Sequence, residues 1–374
     1  MKNKKLALIL TFLAFSYIIA GSFIVYKYQH TPGQDIFDAG FCFGPLIKNI
    51  VVNNTYTFGM FTAYRMPFVP YFLSTIALLY NNLLFAYIVK NLIFFSLVFM
   101  CMRAVAKRLL DVNKYVLLAI AIYVLSFPQL ALHGFSIEYE EGYLTAFILV
   151  LFTYLLLAKD VKNKWVFLFP ALINSLVFLT KSSMLPLSVA VCFFYWWVTK
   201  SRRVFFTFVS MLLVAFLAWG AFNLRNSGNF TILCSFNGYN LYKGNNEFAL
   251  SVYPERSLDV LNPKIGAVQK PKDIIENEWD FDRFYRKKAF EFIGNNPLEA
   301  MKLCLARFYA MFIKITNVVE EGGREPDPLK ILGTAYMLLF RIIFWLCALL
   351  SVRNIFTGKN RRLAWIYLGF VLSY

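Results

Sequence analysis

The feature that most constrains this chain is a recurrence of apolar runs near the length that crosses a bilayer, roughly 20 residues. Compact basic groups separate the runs: Lys2, Lys4 and Lys5; Arg103, Lys107, Arg108 and Lys114; Lys159, Lys162 and Lys164; Lys200, Arg202 and Arg203; Arg353, Lys359, Arg361 and Arg362. Of the 374 residues, 59% are hydrophobic and only 16% charged, which is not the balance of a soluble domain. The pattern therefore reads as an all-α polytopic membrane protein. The net charge of +17 sits in the connectors. The positive-inside rule accounts for it there, and no nucleic-acid partner is needed.

Placing every basic group on the cytoplasmic side predicts spans near 6–26, 85–102, 115–132, 142–158, 164–180, 184–199, 204–221 and 331–351. A further span begins near Leu363, giving about nine or more. The run after "MKNKK" is longer than the roughly 7–15 residues of a secretion-signal core, so it reads as a retained anchor with a cytoplasmic N-terminus. The last run has gone only about a dozen residues at Tyr374, too few to cross, so a continuation is expected. "PFVPYFLSTIALLYNN" (67–82) is apolar enough to span, but counting it would move the Arg103 to Lys114 group outside. It reads instead as a short helix at the outer interface, with Pro67 and Pro70 near its start, where proline is tolerated.

The chain then divides into a transmembrane module (1–221), whose first external loop is 27–82, an external domain (222–330), and C-terminal transmembrane helices (331–374). The external domain has small α or α+β character. Helices are expected in it near 272–293 and 297–315, the second capped by Asn296 ahead of Pro297. The six cysteines show no metal or dithiol spacing. Cys42, Cys234 and Cys304 are external and leave room for one disulfide.

The external loops carry charges that lipid would exclude. The first holds Asp35, Asp38, Lys48 and Arg65, the second Glu138, Glu140 and Glu141, and the third Lys181. Charges at the mouth of a helical bundle are costly to desolvate, so they face a cavity or one another. Acids and bases meeting there suit a reaction that removes a proton and stabilises a leaving phosphate. Arg341, near the middle of the 331–351 run, is a functional candidate on the same ground.

These segments carry a resemblance. "YRMPFVPYFLSTIALLY" is similar to the Arg-x-Pro-x-x-Pro-x-Phe-Leu segment of GT-C glycosyltransferases, those related to the protein O-mannosyltransferase and lipid A aminoarabinose transferase families. "DAGF" resembles their loop-one Asp-x-x-Tyr, with Phe41 in place of tyrosine. "FLTKSSMLPL" resembles their Leu-Thr-Arg-Pro helix end, with Lys181 for arginine and Ser182 for proline. "NLRNSGNFTILCSFNGYNLYKGNN" and "NNPLEAMKLCLARF" are similar to the stretches that open and continue their external domain.

The resemblance implies a cell-envelope enzyme that takes a sugar from a polyprenyl-phosphate donor. It passes the sugar, with inversion, to a hydroxyl of a glycolipid, polysaccharide or protein on the outer face of a bacterial inner membrane. Asp38 matches the family's loop-one aspartate and is the expected general base, with Asp35 as its alternative. Arg65 is the first expected phosphate ligand, since a guanidinium grips phosphate oxygens in pairs, and Lys181 is the second. Glu141 is placed with the catalytic acids, able to position the acceptor or a divalent cation. Glu138, Glu140, Arg225, Asn245 and Asn246 are placed with substrate. Membrane lipids surround the whole. Two other classes fit a many-span chain with a large external loop. One is a lipid-linked oligosaccharide polymerase or ligase, which depends on external arginines. The other is a flippase or transporter, which is expected to show repeated halves or broken helices.

Overall fold

Helix ends in this protein are set by small polar residues and glycine, and the apolar runs between them fix the lengths. Asn82 Oδ1 accepts the amide of Phe85 at 3.0 Å, which caps the helix that starts at Leu83. Ser201 Oγ accepts the amide of Val204 at the start of another, and Gly228, at φ 71°, closes that helix in the left-handed conformation. The computed structural model describes residues 2–39, 43–59, 61–109, 136–137, 139–158, 163–252 and 277–312.

Within these residues the α-helices are α1 (Lys2–Gln29), α2 (Phe43–Asn53), α3 (Phe68–Leu79), α4 (Leu83–Leu109), α5 (Glu140–Leu157), α6 (Leu168–Thr180), α7 (Leu185–Thr199), α8 (Arg202–Ser227), α9 (Asn237–Gly244), α10 (Ala249–Val252), α11 (Glu278–Asn295) and α12 (Pro297–Phe312). Short 3₁₀ turns occupy Ile36–Asp38, Lys164–Phe167 and Ser182–Met184. There is no strand among the described residues, only one isolated bridge between Phe58 and Phe61.

Three stretches are long and apolar enough to cross a membrane: Leu83–Cys101, Ser182–Thr199 and Arg202–Ser227. Four shorter apolar stretches accompany them, Phe15–Lys27, Phe68–Leu79, Gly142–Leu155 and Trp165–Thr180. The chain is thus a helical membrane protein. The spans expected at 115–132 and 331–351, the run from Leu363, and Arg341 all lie outside the described residues.

The chain divides into two compact units, Met1–Asn237 with Asp273–Phe281, and Gly238–Lys272 with Asp282–Tyr374. In the first, α4 packs against α1 and α5, α5 against α6, α6 against α8, and α8 against α7. The core is strongly aromatic. Phe72, Phe94, Tyr143 and Phe147 form one nest, with Phe94 and Tyr143 centred 4.8 Å apart, and Tyr195 stacks on Phe208 at 4.2 Å. Edge-to-face pairs of this kind add to area burial.

One difference from expectation bears on the site. Loop one contains α2, in a stretch where the sequence pattern predicts no helix. Proline at the third helical position, Pro45, falls where its missing N–H costs nothing. Gly44 lets this helix press on the Ile36–Asp38 turn, because a Cβ there would lie 2.2 Å from the Phe37 carbonyl oxygen. The short helix expected within 67–82 is present as α3, with Pro67 before it and Pro70 in its first turn. The helices expected near 272–293 and 297–315 are present, described over Glu278–Asn295 and Pro297–Phe312. The Asn296 amide nitrogen donates back to the Phe292 carbonyl at 3.3 Å.

In the second unit, α9 is held at both ends by side chains. The Asp282 carboxylate accepts the Gly238 amide at its start. The Arg307 guanidinium donates to the Gly244 carbonyl at its end. These satisfy groups that a short helix leaves open.

Candidate functional site

In the first unit three charged side chains from distant parts of the sequence converge. Glu140 is the first residue of α5, and its side chain is only 9% exposed. Arg65 Nη1 lies 3.7 Å from Glu140 Oε1, and Lys181 Nζ lies 3.7 Å from Glu140 Oε2. One buried carboxylate is therefore shared by two cations, each on a different oxygen. The cations remain 37% and 35% exposed, so both can also meet something arriving from outside the protein.

The local sequence explains each placement. Glu140 opens a helix, where the backbone dipole favours an anion. Lys181 falls between α6 and the Ser182–Met184 turn in extended conformation, φ −150°, so it breaks the run of helix and projects from its end. Arg65 precedes α3. Its guanidinium lies over two rings, Tyr64 at 5.3 Å and Phe43 at 5.7 Å, within the range of cation–π attraction.

A belt of neutral polar groups lies behind the ion pair. Ser182 Oγ donates to Asn237 Oδ1 at 3.1 Å and meets Cys234 Sγ at 3.3 Å, while the Cys234 thiol donates to the same Asn237 oxygen at 3.2 Å. Burial pushes the Cys234 thiol above its usual range, outweighing the hydrogen bond from Ser182. The Tyr56 hydroxyl donates to the carbonyls of Arg65 and Met66, at 3.1 and 3.2 Å. Burial first, and then the neighbouring Tyr71, Cys234 and Glu140, hold the Tyr56 phenol well above its ordinary pKa. It is a fixed donor and not a base.

The loop-one acids are arranged differently. Asp35 and Asp38 flank the Ile36–Asp38 turn, both exposed, and the Asp38 carboxylate accepts the Asp35 amide at 3.2 Å. Ile36 beneath them is fully buried. The turn joins the Arg65 region through α2. Gly44 donates to the Ala39 carbonyl at 2.5 Å, and the adjoining Phe43 carries the ring beneath Arg65.

Of the other expected site residues, Arg225 is exposed in the last turn of α8. Asn245 and Asn246 belong to the second unit, where both side chains bond backbone. Asn245 donates to Leu241 and accepts from Arg307, and Asn246 donates to Tyr242 and Lys243 and accepts from Phe248. Glu138 and the side chain of Glu141 lie outside the described residues. Cys234 and Cys304 are both free thiols, and Cys42 lies outside the described residues. Among those residues no group of three or more His, Cys, Asp or Glu gathers as for a metal ion.

In the first unit, sequence reasoning missed two buried charges. Lys90, fully buried in α4, donates to the Ser136 carbonyl at 3.1 Å and lies 5.1 Å from the Tyr143 ring. A single lysine inside an apolar run was the signal, since such a charge is costly unless it faces polar groups. Glu278, 4% exposed, binds the loop that carries Arg65. Nothing in the sequence marked it among the other acids of its segment.

Comparison with protein-family models, with curated proteins and with solved structures finds no match.

Proposed function

We propose that this protein is a membrane glycosyltransferase of GT-C type that moves a sugar from a polyprenyl-phosphate donor to a hydroxyl of a glycolipid, polysaccharide or protein. The observation that carries the reading is the pairing of Arg65 and Lys181 on Glu140, beside helices able to cross a membrane. Two part-exposed cations held 3.7 Å from one carboxylate are pre-organised, so a phosphate meets them without their first being ordered. Apolar α3 follows Arg65 directly, and its exposed Leu78 and Leu79 suit contact with a prenyl chain.

In this reading the acceptor oxygen attacks the anomeric carbon as Asp38, or Asp35 in its place, takes the hydroxyl proton. The bond from the anomeric carbon to phosphate oxygen breaks with inversion. The polyprenyl phosphate departs with one more negative charge than it had in the donor. Arg65 and Lys181 stabilise that growing charge, and Glu140 keeps the two cations from repelling each other. Glu141 and Glu138 belong to the acceptor side, along with any divalent cation. The active site faces the outside of a bacterial inner membrane, with the N-terminus in the cytoplasm.

The test is incubation of the purified full chain with radiolabelled polyprenyl-phosphate sugars and membrane extract. Label is expected to move from the prenyl fraction into a larger acceptor. A chelator arm reports on a divalent cation. Retention of label in the prenyl fraction across a panel of hexose and pentose donors would overturn the reading.

A further inference from the structure

The segment that carries Arg65 has neither helix nor strand to satisfy its backbone, so its amides need other partners. Thr62 and Ala63 both donate to one oxygen of Glu278, at 2.9 and 3.1 Å, and the Thr62 hydroxyl donates to the other oxygen. The Ala63 carbonyl accepts from Ser235 at 2.8 Å. The carbonyls of Arg65 and Met66 accept from Tyr56. Thr62, Ala63, Arg65 and Met66 are thus pinned, on both sides of the guanidinium's point of attachment, with the acid supplying three of the bonds.

Glu278 is itself held firmly. It opens α11, where an anion is favoured, and it is 4% exposed. The next residue, Trp279, donates from its ring to Ser227 at 2.7 Å and from its amide to Asn277 Oδ1 at 2.9 Å. A carboxylate placed at such a fixed point transmits its own rigidity to the loop that it grips.

We propose that Glu278 is a positioning residue, which sets the direction from which Arg65 enters the site; the proposal rests on the donor reading for what Arg65 binds. Glu278 touches no substrate. It decides where the guanidinium waits, and a charge displaced by about 1 Å loses much of what pre-organisation gives.

The experiment measures Arg65 directly. Full-length protein in detergent is treated with phenylglyoxal, and modification at Arg65 is followed by peptide mass spectrometry. Binding of polyprenyl phosphate is measured on the same samples. In Glu278→Ala the Arg65 rate should rise about fivefold or more and phosphate affinity should fall about tenfold, since the loop loses three bonds. Glu278→Gln should stay within about twofold of wild type in both, because its amide oxygen still accepts from both backbone N–H groups. Should Glu278→Ala not fold, Thr62→Val, which removes only the hydroxyl, carries the test with a rise of about two- to threefold. Unchanged Arg65 reactivity in the folded alanine or valine variant overturns the proposal. So does a glutamine variant as reactive as the alanine one, which would show that charge and not geometry matters. If wild-type protein binds no polyprenyl phosphate, the donor reading falls, while Arg65 reactivity still decides the role of Glu278.

Discussion

Removing Arg65 and removing the charge of Glu140 break the same ion pair, yet the donor reading requires opposite effects on phosphate affinity. Arg65→Ala takes one positive charge from the site, and Glu140→Gln takes one negative charge from between two cations. A unit charge about 4 Å from another contributes roughly 4 kcal/mol at an effective dielectric of 20. Arg65 is 37% exposed, and screening of that degree lowers the figure to about 1.5–3 kcal/mol. Arg65→Ala should therefore weaken binding of a polyprenyl phosphate about ten- to a hundredfold. Lys181→Ala should do about the same, since it stands at the same 3.7 Å from Glu140 and at nearly the same exposure, 35%. Glu140→Gln should hold or strengthen binding, because a glutamine of the same length still offers an oxygen that spaces the cations, while the negative charge that competes with phosphate for them is gone. Calorimetric titration of detergent-purified variants reads all three. A loss of folding would push every variant in one direction, so the opposite signs separate it from a binding effect. Equal weakening in Arg65→Ala and Glu140→Gln would refute the assignment.

For the loop-one acids, Asp38→Asn should lower sugar transfer by about two to four orders of magnitude with donor binding intact, and Asp35→Asn much less; a label-transfer assay on both variants checks this, and the reverse order would exchange their roles. Burial raises the Cys234 thiol pKa, so its thiolate appears only at higher pH than that of an ordinary cysteine. Iodoacetamide at pH 8 should accordingly label exposed Cys304 well before Cys234, and mapping the label by mass spectrometry at rising pH should show the gap narrow. Gly238→Ala should destabilise the second unit by about 1–3 kcal/mol or more, because a Cβ there meets the Asp282 carbonyl oxygen at 2.0 Å; proteolysis of that unit against temperature would show it.

The apolar runs made α4, α7 and α8 legible because hydropathy and span length come from one physical requirement, coverage of a bilayer core. The amphipathic α2 escaped notice because "FGPLI" carries glycine and proline, which punctuate turns as often as they begin helices. In the site, Arg65 and Lys181 stood out as charges at helix ends, and the structure brings them together on Glu140. Glu138, Glu140 and Glu141 were indistinguishable in sequence, since a shift of one residue turns a helical side chain by about 100°. The ion pairs that Glu140 makes with Arg65 and Lys181 are what single it out. Glu278 was invisible for a different reason. Its worth lies in the Thr62 and Ala63 amides, more than two hundred residues away in the chain.

Lys90 bears on how the protein is made. As α4 enters the bilayer during synthesis it brings an ammonium with it, at a cost of roughly 2.5–3.5 kcal/mol near a helix centre, which its apolar neighbours outweigh. The Ser136 carbonyl that meets this ammonium is 46 residues further on, and the Tyr143 ring follows it. Until the segment leading into α5 has been made, the lysine of α4 is expected to reach toward water. A nascent chain arrested before Ser136 would leave that lysine open to water-soluble amine reagents, and one arrested beyond Tyr143 would conceal it.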